Sequence, residues 1–158
     1  MSQNTIGDFF LIKKQTSKDE GINNHDEYIK KNSIFSLYFI TKHTSNKSAY
    51  GGVIYITDNI SPQLREFTSY YKCIEKSTNI EGEYEGLLAG LKEAIFLNIE
   101  NLKIFGDSTI IPRKKNNELN ILLNQFNHVE FNHVTEKNNI RAHELANIAL
   151  NISNPQNN

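Results

Sequence analysis

The chain of 158 residues has a single cysteine, Cys73, so no internal disulfide can staple it, and one free thiol suits a reducing compartment. It has almost no net charge: 17 Lys and Arg stand against 18 Asp and Glu, leaving no global polycation to hold a nucleic acid by bulk attraction. No apolar run approaches the roughly 18 residues of a membrane span, and the polar N-terminus lacks the apolar core of a signal peptide. These absences lead us to expect a soluble intracellular protein. Acids are unevenly spread: none occurs between Glu27 and Asp58. There is no internal repeat, and the length is one domain's worth, enough to bury a core unaided.

Residues 13–32 are mostly polar with no sustained period and read as a flexible linker. Three strand-like runs follow, over residues 34–41, 52–57 and 67–74, rich in β-branched and aromatic residues and punctuated by Gly51-Gly52 and Ser61-Pro62. Beyond Thr78 an amphipathic helix places Tyr84, Leu87, Leu88, Leu91 and Ile95 on one face, ordinary core packing in itself. The pattern then predicts a strand over 102–105, a helix over 117–126 and a short strand over 129–131. A last helix begins near Asn139, read as its cap, and buries Ala142, Leu145, Ala146 and Ala149. The order βββαβαβα gives an α/β domain over residues 33–152, with 1–12 outside it and a tail over 153–158 expected to be disordered.

The helix after Thr78 and the strand after it carry a carboxylate each. Glu83 lies in the helix's first turn, and Asp107 follows the apolar run ending at Gly106. Acids at a helix start and a neighbouring strand end make half of a divalent-metal site.

These residues, in this order, resemble the type 1 ribonuclease H family over roughly residues 34–150. Thr78-Asn79-Ile80 stands where the family's helix opens with Thr-Asn-Asn, with Glu83 in the position of the catalytic Glu. Asp107-Ser108 matches the strand-end Asp-Ser, and His133-Val134 the late His-Val of the family's mobile loop. Asn139-Ile140-Arg141-Ala142-His143-Glu144-Leu145-Ala146 matches the terminal Asn-x-x-Ala-Asp-x-Leu-Ala. The resemblance implies a ribonuclease H-like fold, a mixed five-stranded sheet with flanking helices. It also implies catalytic roles for Glu83, Asp107 and His133.

Two departures bear on activity. The family's first catalytic Asp ends the first strand, where this chain has Ile40 or Thr41, and the acid-free interval around them offers no near substitute. The fourth acid is His143, and the region after Asp107 is short. Two-ion hydrolysis relies on a first Asp shared by both ions. Glu83, Asp107 and His143 are therefore expected to hold at most one divalent cation, Mg²⁺ or Mn²⁺, with imidazole shifting preference towards Mn²⁺ or Zn²⁺. Glu81, Glu85 and Glu144 are possible substitutes, though helix-surface acids are commonly just solvated charges.

The N-terminus carries a separate signal. Gln3-Asn4-Thr5-Ile6-Gly7-Asp8-Phe9-Phe10 resembles the sliding-clamp (PCNA) interaction motif. One short helical turn would gather Ile6, Phe9 and Phe10 into an apolar plug, with Gln3 entering its own pocket and Lys13 and Lys14 flanking it. The plain alternative is a strand that packs Phe9 and Phe10 on the domain. Candidate nucleic-acid contacts are Arg113, Lys114 and Lys115 after Asp107, Thr78 and Asn79 facing a minor groove with its 2′-hydroxyls, and Asn139. The lysine-rich triplet reads equally as solvated loop, and Asn79 equally as a helix cap. His25, His43 and His128 show no ligand-like spacing, and Cys73 reads as inert.

The preferred reading is a clamp-tethered, ribonuclease H-like protein that binds RNA–DNA hybrid with little or no cleavage, at a nuclear or viral replication site. The alternatives are a working hybrid nuclease with a rearranged metal site, and a pure protein-interaction module.

Overall fold

A computed structural model describes residues 31–59, 62–106 and 117–153. The linker up to residue 30, the clamp-like motif, the segment holding Asp107 to Lys115 and the last five residues lie outside them; Lys31 and Asn32, at the linker's end, are helical. The elements run β1 (Ser33–Thr44), β2 (Lys47–Asp58), β3 (Arg65–Glu75), α1 (Asn79–Phe96), β4 (Asn101–Gly106), α2 (Asn117–Leu123), β5 (His128–His133), a 3₁₀ turn (Glu136–Asn138) and α3 (Ile140–Ser153). They form one five-stranded sheet in the order β3-β2-β1-β4-β5. β1 pairs antiparallel with β2, which pairs antiparallel with β3; β4 runs parallel to both β1 and β5. The expected α/β class and mixed sheet are therefore what forms.

Alternation along β1 separates two faces. Phe35, Leu37 and Phe39 join Ile54, Leu87, Leu91, Leu102 and Ile104 in the main core beneath α1. Ile40 points the other way and packs with Ala142 and Ala146 of α3. Helices thus cover both faces, and each strand residue's parity decides which helix it meets. α3 lies so close to β2 that a Cβ on Gly51 would stand 2.3 Å from the Ala142 carbonyl oxygen and 2.6 Å from the Ala146 nitrogen. Only glycine fits that crossing.

The hairpin departs from expectation. β1 and β2 continue in register to Thr44↔Lys47, past the predicted ends at residues 41 and 52. The residues between are polar by sequence, yet Ser48 and Ala49 are fully buried. α1 covers Ser48: a Cβ on Gly82 would meet the Ser48 Cβ at 2.5 Å and the Thr41 Cγ2 at 2.7 Å. Ala49 has the parity of Gly51 and so faces the α3 side. α2 is shorter than predicted, ending at Leu123, with Phe126 buried in the turn after it.

Candidate functional site

The start of α1 is built locally. Thr78 is the N-cap: its hydroxyl accepts from Glu81 N at 3.2 Å while the Glu81 carboxylate accepts from Thr78 N at 2.7 Å, a capping box. Asn79, read as a possible cap, is instead the first helical residue, and its side-chain amide donates to Glu83 Oε1 at 3.4 Å. Glu81 is thereby committed to the backbone. Glu144, the other substitute acid with a described partner, accepts from Arg141 at 3.4 Å.

Glu83 stands one turn into α1, beside the end of β1. Its Oε2 is shielded from solvent and finds no hydrogen-bond partner among the described residues, and the same holds for Thr41 Oγ1. Leaving a shielded carboxylate oxygen unsatisfied is costly, so a cation or an incoming donor would stabilise it. Asp107, the intended companion, lies outside the described residues. The parallel register ends at Phe39↔Gly106. Ile40, next along β1, is 6% exposed in its apolar seam against α3. Among the described residues no group of three His, Cys, Asp or Glu side chains could hold a metal ion.

His143 is engaged elsewhere. Asn147 Nδ2 donates to His143 Nδ1 at 3.3 Å, so the ring proton sits on Nε2 and is directed at the Glu136 carboxylate. Both ring nitrogens are in use, and metal binding would break one of these bonds. His133 ends β5 exposed, opposite Gly106, where the backbone of Val134 donates to the Gly106 carbonyl at 3.0 Å. Asn139, read as a cap and a nucleic-acid contact, is 2% exposed, and its amide donates to the Phe39 carbonyl at 2.9 Å. That bond fastens the start of α3 to β1. Arg113, Lys114 and Lys115, like Gln3, Ile6, Phe9 and Phe10, lie outside the described residues.

Two residues given no role in the sequence, Ser48 and His43, lie beside this site. Ser48 Oγ donates to the Thr78 carbonyl at 2.7 Å, and His43 Nδ1 meets the same Oγ at 3.0 Å. A second bond, from Ser77 N to the Asn46 carbonyl at 3.2 Å, closes the latch between the hairpin and the start of α1. Spacing in the sequence gives no hint of His43; only the hairpin register, which pairs it with Ser48, brings it here.

Comparison with known proteins agrees with the architecture. A family model described as reverse transcriptase-like matches residues 40–149. RNase H1 from the halophilic archaeon Halobacterium salinarum superposes with a TM-score of 0.64 at 25% identity, over 75% of this chain and 98% of that one. The N-terminal RNase H domain of a Mycobacterium tuberculosis protein gives 0.63 at 22%, over 75% and 94%. LC11-RNase H1, isolated from compost and solved with an RNA/DNA hybrid, gives 0.57 at 20%, over 75% and 98%. No curated protein matches the sequence.

Proposed function

The chain belongs to the reverse transcriptase-like family, whose model covers residues 40–149, and on that premise we propose that it binds RNA–DNA hybrid with little or no cleavage while tethered to a replication sliding clamp. Divalent ions in a site of this kind supply an activated water and stabilise the leaving oxygen. The observation that carries the reading is the end of β1, where neither candidate place for the ions' shared acid holds one: Ile40 is apolar and buried against Ala142 and Ala146, and Thr41, on the α1 side, offers only a hydroxyl. His143, at the fourth acid's place, is occupied by Glu136 and Asn147. Hybrid binding rests on the likeness to RNase H folds, one of them solved on a hybrid, and on the exposed Thr78 and Asn79 at the start of α1. Arg113, Lys114 and Lys115 would add phosphate contacts.

The clamp tether rests on the Gln3, Ile6, Phe9, Phe10 pattern, joined to the domain through a polar segment. Tethering raises local concentration, so a modest grip on the hybrid suffices. It places the protein at a replication site, nuclear or viral.

The deciding experiment incubates the full chain with a labelled hybrid in Mg²⁺ and in Mn²⁺, and measures binding in parallel at low salt. Binding without cleavage is expected. Cleavage that Asp107→Asn abolishes would establish the second reading, a hybrid nuclease with a rearranged site. One observation favours that reading: Glu83 Oε2 is shielded and unpartnered among the described residues, which a cation shared with Asp107 would relieve. Unmeasurable hybrid binding with clamp binding intact would select a protein-interaction module instead.

A further inference from the structure

His43 takes no part in the catalytic pattern, yet its ring is held in a defined state. The Thr78 carbonyl can only accept, so the 2.7 Å contact uses the single proton of the Ser48 hydroxyl. Ser48 Oγ then has only lone pairs for His43, and the 3.0 Å contact must be a donation from His43 Nδ1–H. In the neutral ring this fixes the tautomer, and Nε2 is left as a bare acceptor. Ser48 is 0% exposed and latched to α1, so the geometry is stiff. His43 is exposed, and its Nε2 meets no partner among the described residues.

We propose that His43 discriminates RNA from DNA, its Nε2 accepting a hydrogen bond from a 2′-hydroxyl of an RNA strand laid across the start of α1. The inference rests on the hybrid-binding reading and deepens it. The chemistry is selective because a fixed acceptor needs a donor. Phosphate oxygens are acceptors, and a minor groove offers acceptors at A, T and C edges, with only the guanine amine as a donor. The 2′-hydroxyl is the one backbone donor that RNA has and DNA lacks. The Ser48 relay ties His43 to the Thr78 carbonyl, and His43, Thr78 and Asn79 are all exposed.

The test measures binding of the full chain at about pH 8, where free imidazole is neutral. The probes are a hybrid, a DNA duplex of the same sequence, and a hybrid whose RNA strand carries 2′-fluoro groups, which cannot donate. His43→Ala is expected to weaken hybrid binding by about five- to tenfold, the scale of one hydrogen bond, and to leave duplex binding unchanged. The parent should bind the 2′-fluoro hybrid as weakly as His43→Ala binds the ordinary one. Ser48→Ala, checked for folding by circular dichroism, releases the tautomer and should give a smaller loss of the same preference. Equal losses on hybrid and duplex, or none, would overturn the assignment while leaving hybrid binding in place. A parent chain that binds neither probe would defeat the hybrid reading itself, and this inference with it.

Discussion

Arg141 reaches from α3 to the edge strand β3, where its Nε donates to Glu66 Oε2 at 3.0 Å and its Nη2 to Oε1 at 3.3 Å. That hydrogen bonding is the main reason the Glu66 carboxyl is held below its ordinary 4.5. A lowered folded pKa means the unfolded chain binds the proton more readily. The pair's contribution is therefore complete above pH 4.5 and is lost as pH falls through the lowered folded value. Both side chains are 38% exposed, so the effect is small. Urea midpoints measured across the acid range should fall less steeply with acidification in Arg141→Gln than in the parent. Tyr70 is a buried counterpart. Burial pushes its phenol well above the ordinary value, so it stays a donor, and its hydroxyl donates to the Gly86 carbonyl at 2.9 Å. Tyr70→Phe should cost about 1 kcal/mol in denaturant unfolding, the net worth of one such bond.

At the scale of elements, close approach decides more than composition. Gly51 admits α3 onto β2 with backbone atoms under 3 Å from any added Cβ. Gly51→Ala should therefore lower stability by about 2–4 kcal/mol, measured by thermal melting, because backbone and not a pliable side chain must move. Thr78→Ala removes the capping hydroxyl of α1 and should cost about 1 kcal/mol by the same measurement. The element order was legible because α1 and the strands carry clean periods. The β1–β2 junction was not legible, since Lys42 to Ser48 are polar and only tertiary cover by α1 buries Ser48. The role of the Asn139 side chain was hidden for a related reason. Asn139 does stand at the helix start, its carbonyl accepting from His143 N at 3.1 Å, but its side-chain amide is claimed by a strand 100 positions upstream in sequence instead of the helix. Glu83 was singled out by its motif alone, whereas the contact of His43 with Ser48 needed the hairpin register.

For the molecule as a whole, two attachments are expected to work independently: the folded domain on a hybrid, and the N-terminal residues on a clamp. A Phe9→Ala/Phe10→Ala change should abolish clamp pull-down while leaving hybrid affinity within about twofold, as distant, unshared sites behave. Retained pull-down would defeat the motif assignment. Ile40 has a wider consequence for what this chain can become. It is part of the seam between β1 and α3, with Ala142 and Ala146. A carboxylate placed there alone would be desolvated against two methyl groups, and Ile40→Asp should cost about 2–4 kcal/mol in unfolding experiments. That is a large share of the margin by which a domain this size stays folded. Mechanics thus weighs against chemistry at this position: an acid introduced there alone would loosen the seam before it could bind anything, so it would have to come with joint change in β1 and α3.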